Sequence, residues 1–121
     1  MEKLVRSGLL YDFYGGLLTE KQRKAMELYY FEDWSLAEIA ESEGVSRQAV
    51  HDLLHRTERT MEELEAKLRL VGRFLTHQQV ITEVIGDLER VMAVIPKESP
   101  LYQDLRSINQ KIAVLLKSEL E

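Results

Sequence analysis

Leu36-Ala37-Glu38-Ile39-Ala40-Glu41-Ser42-Glu43-Gly44-Val45-Ser46-Arg47-Gln48-Ala49-Val50-His51-Asp52-Leu53-Leu54-His55 decides the fold. A helix-turn-helix needs two helices crossing at roughly 90–120° through a turn of three to four residues. This stretch meets each requirement. Ala40 is small and admits the second helix. Gly44 can take a positive φ in the turn. Ile39, Val45, Val50 and Leu53 have the spacing that buries the two inner faces, and Ser46 is placed to cap the second helix. Glu43 departs from the pattern, since many such motifs carry an apolar residue before the glycine. The outer face of the second helix begins with Arg47, Gln48, His51 and Asp52 and continues with His55, Arg56 and Arg59. Recognition helices present such N-terminal side chains to base edges in the major groove, where Arg suits guanine and Gln suits adenine.

Helix starts recur on both sides of this stretch. Thr19-Glu20-Lys21-Gln22, Ser35-Leu36-Ala37-Glu38 and Thr76-His77-Gln78-Gln79 each read as a capping box, with Trp34/Ile39 and Leu75/Val80 as hydrophobic staples for the last two. Ser99-Pro100 puts a hydroxyl before a proline at a first helical position. Gly15-Gly16 and Pro96 act as stops. No sustained alternation of period two and no Asn-Gly or Asp-Gly turn suggests a strand. The pattern predicts an all-α chain with six helices, near residues 2–14, 20–32, 36–42, 47–73, 77–95 and 100–118, in which Gly72 can kink or end the long fourth.

Leu17-Leu18-Thr19-Glu20-Lys21-Gln22-Arg23, Leu28-Tyr29-Tyr30-Phe31, Ser35 to Ala40 and Val45 to Val50 together resemble region 4 of bacterial sigma factors. That module reads promoter −35 DNA with its second motif helix. The resemblance covers about the first half of the chain, from near Leu17 to near Arg59. The rest of a sigma factor is missing, so initiation of transcription is not implied. The chain as a whole, tail included, is similar to the YlxM family of small bacterial helix-turn-helix proteins. These are encoded beside signal recognition particle components and suggested to serve or regulate that pathway. The resemblance implies base contacts from Arg47, Gln48, His51 and His55, and phosphate contacts from Arg23, Lys24, Ser46, Arg56 and Arg59.

Beyond the motif, apolar residues recur at alternating spacings of four and three: Val50, Leu54, Thr57, Met61, Leu64, Leu68, Val71 and Leu75, then Ile81, Val84, Leu88, Val91 and Ile95, then Leu101, Leu105, Ile108, Ile112 and Leu115. Such seams belong to helices packing at a shallow angle. The short Pro96–Ser99 loop makes the last two helices an antiparallel hairpin. The expected architecture is thus a sigma-region-4-like helix-turn-helix with a long recognition helix over residues 1–70, and a C-terminal antiparallel helical hairpin over residues 71–121. Val80, Ile85, Met92, Val94, Val114 and Leu116 lie off these stripes. That surplus points to a homodimer built on the hairpin. The alternative is a monomer whose tail covers Val5, Leu9, Leu10 and Phe13 of the first helix. Arg59–Glu63, Glu63–Lys67 and Glu65–Arg69 stand four apart and read as a solvated face.

Composition narrows the function. The formal net charge is −5. Residues 1–60 hold eight Lys/Arg against eleven Asp/Glu, and residues 61–121 hold eight against ten. A DNA-binding face must therefore be a local basic patch on an acidic body. The absence of cysteine removes disulfides and thiolate sites. No signal peptide and no apolar run near the ~20 residues that span a bilayer is evident, so a cytoplasmic protein is expected. His51-Asp52-Leu53-Leu54-His55 resembles the H-E-x-x-H zinc motif. Asp is a methylene short of the usual general base, however, and no third ligand accompanies it. Glu62-Glu63 are adjacent and cannot act as an acid/base pair. The cluster Tyr29, Tyr30, Phe31 and Trp34 reads as core rather than as a base-stacking platform. The expectation is a non-enzymatic regulator that binds duplex DNA and is linked to the signal recognition particle pathway, with no cofactor or metal. The alternative is an adaptor that uses the same fold to hold protein or RNA of that particle.

Overall fold

The computed structural model describes the backbone of residues 2–120 and the side chains of residues 2–117. Every regular element among them is helical. The elements are α1 (Lys3–Tyr14), a 3-10 turn (Gly15–Leu17), α2 (Glu20–Met26) running into a π-helical turn (Glu27–Phe31), α3 (Leu36–Glu43), α4 (Arg47–Leu68), α5 (Leu70–Ala93) and α6 (Pro100–Leu120). No described helix is long and apolar enough to cross a membrane. The chain divides into two compact units, one reaching Val71 and the other beginning at Gly72.

Local chemistry starts the helices of the first unit where the sequence reading placed them. Thr19 Oγ1 accepts from the Gln22 N–H at 3.2 Å, and the Gln22 side chain accepts from the Thr19 N–H at 3.0 Å. Ser35 and Glu38 form the same reciprocal pair at 3.1 and 3.2 Å. Ser46 Oγ accepts from the Ala49 N–H at 3.0 Å. These bonds satisfy amide donors that a helix start leaves unpaired. Gly44 closes α3 in the left-handed conformation at φ 67°.

α4 is the spine of this unit, and α1, α2 and α3 each pack on it. Its inward row of Val50, Leu54, Thr57 and Met61 is buried, together with Leu10, Tyr14, Met26 and Ile39 from the other helices. The predicted helix over 20–32 changes winding at Glu27, where a π turn carries the chain to Phe31. Tyr29 and Phe31 are exposed there, and Tyr30 and Trp34 are half-buried, so the aromatic cluster is only partly core.

The largest departure from expectation lies after Met61. A helix over 47–73 was expected, but α4 ends at Leu68. Arg69 then takes φ 56°, and α5 starts at once with Leu70. The cause is a long-range cap. The Tyr14 hydroxyl, fully buried, donates to Glu65 Oε1 and accepts from the Leu70 N–H at 3.2 Å. The same Glu65 oxygen accepts from the Val71 N–H at 3.0 Å. Two orphan donors of α5 are thereby satisfied, which makes the break tolerable. Glu65, read in sequence as part of a solvated face, is therefore a structural residue. Thr76, expected to begin a helix, lies inside α5. Gly72 also lies inside α5 and does not end it, as a single helical glycine costs only about 1 kcal/mol.

In the second unit, α6 runs antiparallel to α5. Leu116 borders the same cavity as Leu75 and Gln78, whereas Tyr102 and Asn109 border one with Met92 and Ile95. The half-buried rows are Ile81, Ile85, Leu88 and Met92 on α5, continued by Ile95 just after it, and Tyr102, Leu105, Asn109, Ile112 and Leu116 on α6. The predicted seams held Val84, Val91, Leu101, Ile108 and Leu115, all of which are exposed. Each helix carries two apolar rows about 100° apart, and the pair turns one row of each inward. Among its described residues this unit has no fully buried side chain.

Candidate nucleic-acid interface

Gly44, Val45 and Ser46 form the three-residue turn between α3 and α4. Val50 and Leu54 anchor α4 inward, which leaves Arg47, Gln48, His51, Asp52, His55, Arg56 and Arg59 exposed. Arg47 to Arg59 spans about 18 Å of helix, long enough to lie in a major groove about 12 Å wide. Here the sequence-predicted base contacts Arg47, Gln48, His51 and His55 share one surface with the predicted phosphate contacts Arg56 and Arg59.

Asp52 sits in the middle of that surface. Its carboxylate accepts from Gln48 Nε2 at 2.9 Å and lies 3.4 Å from His51 Nδ1. The Gln48 hydrogen bond, followed by His51, holds Asp52 below the usual carboxylate range. Gln48 is thus occupied by an intrahelical partner. The His51 and His55 rings stack obliquely, with centroids 4.3 Å apart. Among the described residues no three His, Cys, Asp or Glu side chains are grouped to hold a metal ion.

The other phosphate-contact candidates are less uniform. Ser46 uses its hydroxyl to cap α4. Lys24 is paired with Glu43 at 2.8 Å, and that contact raises the Lys24 pKa. Arg23 is exposed on α2, and its charge acts on the Tyr11 hydroxyl of α1. Lys21 was not singled out in sequence. With Lys24 and Arg56 it rims a groove of about 360 Å³ whose apolar wall includes Leu28, Val45 and Leu53. Its spacing of three from Lys24 and its place in the capping box were the available signals. Val45, expected to be buried, is 41% exposed and forms part of this wall.

Residues 1–99 match the family model described as "Putative helix-turn-helix protein, YlxM / p13 like". The chain is 41% identical over 109 residues to the UPF0122 protein of Streptococcus gordonii, covering 90% of this chain and 93% of that one. It is 50% identical over 84 residues to the UPF0122 protein of Halalkalibacterium halodurans, covering 69% and 77%. It is 46% identical over 105 residues to the UPF0122 protein of Streptococcus pneumoniae strain Hungary19A-6, covering 87% and 89%.

Proposed function

Because this chain belongs to the UPF0122 family of YlxM/p13-like helix-turn-helix proteins, we propose that it reads duplex DNA with the N-terminal half of α4, acting by binding rather than by catalysis. The observation that supports this most is the exposure of Arg47, Gln48, His51 and His55 on one helix face, directly after a three-residue turn. On this reading Arg56 and Arg59 contact phosphates, and residues up to 70 form the DNA-binding domain. The C-terminal hairpin pairs two copies, so that two α4 helices address two half-sites. The work is cytoplasmic. Its regulatory role and its tie to the signal recognition particle pathway draw on the family resemblance alone.

The test is selection from a random duplex pool at low and near-physiological salt. An enriched motif is expected. Arg47→Ala and Gln48→Ala each cost about 1–3 kcal/mol of base discrimination. Arg59→Ala weakens binding to all sequences and lowers the salt slope by about one. Equal losses on every sequence from all three changes, or no enrichment at either salt, would refute base readout.

A second reading is supported by the groove between Lys21, Lys24 and Arg56 and by the carboxylate of Asp52 within the α4 face. It makes the chain an adaptor that holds protein or RNA of the signal recognition particle. It predicts co-purification with a particle component that survives nuclease treatment.

A further inference from the structure

The hairpin formed by α5 and α6 carries an apolar face that its own seam does not use. On α5 and the turn that follows it this face is Val80, Val84, Val91 and Val94, which are 37–82% exposed. On α6 it is Leu101, Ile108 and Leu115, spaced by seven and 45–59% exposed. In both helices these residues sit one position N-terminal to the inward row, a rotation of about 100°. Because the helices run antiparallel, equal rotations toward the N-terminus carry both rows to the same side of the hairpin. The opposite side, one position C-terminal to the inward rows, carries only small or polar residues, among them Thr82, Glu89, Ala93, Gln103, Arg106 and Ala113. The hairpin is therefore amphipathic as a whole, with a seam between its helices and one broad apolar flank. Among the described residues of the second unit, Val114 is the one large apolar side chain exposed away from that flank.

We propose that this flank is the homodimer interface, with α6 crossing α6 of a second copy antiparallel about a two-fold axis at Ile108. The inference gives a surface and a geometry to the dimeric reading above and rests on it. Self-complementarity argues for a second copy rather than another partner. Along the flank α6 reads Leu101, Asp104, Ile108, Lys111, Leu115. Inverted about Ile108, Leu101 meets Leu115 of the second copy, and Asp104, four residues before the axis, comes within one residue, about 1.5 Å along the helix, of the level of Lys111 of that copy, twice by symmetry, as an isologous contact requires. Asp87, the acidic residue within the α5 row, is paired with Arg90 of its own helix, so it brings no uncompensated charge to the contact.

Sedimentation velocity and light scattering of the full chain, without nucleic acid, test this. The expected mass is twice the 14.1 kDa of the chain. Ile108→Lys is expected to give a monomer, with helical circular dichroism as the check that it still folds. Asp104→Lys is expected to raise the dimer Kd at least about fivefold, since two ion pairs become two repulsions. Adding Lys111→Asp is expected to restore the Kd. A wild-type chain that stays monomeric at all concentrations overturns the proposal. So does a dimer unaffected by Ile108→Lys, or a charge swap that fails to rescue. DNA binding has no part in the readout. A dimer that ignores DNA would sink the DNA reading and leave this inference standing, and a monomer that reads DNA would sink this inference and the pairing of half-sites but leave base readout standing.

Discussion

Asp52 places a negative charge in the middle of the α4 face proposed to contact DNA, and it also occupies the amide of Gln48. Removing it releases a base-reading group and lowers repulsion together. Asp52→Ala is expected to tighten binding to a non-specific duplex by about threefold to tenfold at low salt, and by less as salt screens the charge. Fluorescence anisotropy at two salt concentrations checks this. An unchanged affinity would place the start of α4 outside the DNA contact. Gly44 is the other residue with a single physical job. Its φ of 67° is unfavourable for any residue with a Cβ, yet a Cβ built there meets nothing within 4 Å. Gly44→Ala should therefore cost only the backbone penalty, about 1–2 kcal/mol in chemical denaturation. A loss well above that would mean that the turn is packed against more than its own helices.

The junction between α4 and α5 is decided at the level of elements. Tyr14→Phe keeps the buried ring but removes the hydroxyl that donates to Glu65 and accepts from the Leu70 N–H. It leaves buried polar groups short of a partner, at a cost of about 1–3 kcal/mol. Equilibrium unfolding should show that loss. A double-mutant cycle with Glu65→Gln should show that the two changes do not add. The same junction marks the limit of sequence reading. Helix starts governed by neighbours, such as Thr19 with Gln22, Ser35 with Glu38 and Ser46 with Ala49, were legible because donor and acceptor lie three residues apart. The break at Arg69 was not legible, since its cap comes from a tyrosine more than fifty residues away. Thr76 illustrates the reverse case, a local capping pattern overridden by a helix already under way. In the hairpin, two adjacent apolar rows left the inward one undecided, and packing turned Tyr102 and Asn109 inward in place of Leu101 and Ile108. At the candidate DNA-binding surface the exposure of the α4 residues could be read from spacing. The pairing of Lys24 with Glu43 depends on where α2 docks, which spacing does not encode.

Across the whole molecule, tyrosine–carboxylate pairs recur where the helices of the first unit meet. Tyr11 binds Glu27 at 2.5 Å, Tyr14 binds Glu65 and Tyr30 binds Glu58. Burial, reinforced by the carboxylate, pushes Tyr11 and Tyr30 up to about 12 and raises Tyr14 as well. A phenol whose folded pKa exceeds its unfolded value of about 10 contributes stability that is complete below pH ~10. That contribution is lost as pH rises toward about 12, because only the unfolded chain ionises in that interval. The melting temperature is expected to fall across this window, and the near-ultraviolet phenolate signal of these three tyrosines should appear together with unfolding. A melting temperature that stays flat through the window would mean that the pairs are not held in solution. At the acid end, hydrogen bonding from Arg6 holds Glu62 below its usual range, so its contribution is present above that range and lost as pH falls.

The bond from Tyr14 to Glu65 and Leu70 also sets an order of events during synthesis. It joins residues 51 and 56 positions apart, so the earliest helix of the first unit has to find a partner near that unit's last residue. A ribosome adding ~5–20 residues per second needs about 3–11 s to make the 56 residues from Tyr14 to Leu70. Through that interval α1 has been made, but the lock that ends α4 and begins α5 does not exist. That junction becomes a defined object only after Val71 has cleared the ribosome. The hairpin, whose two helices are neighbours in the chain, has no such delay.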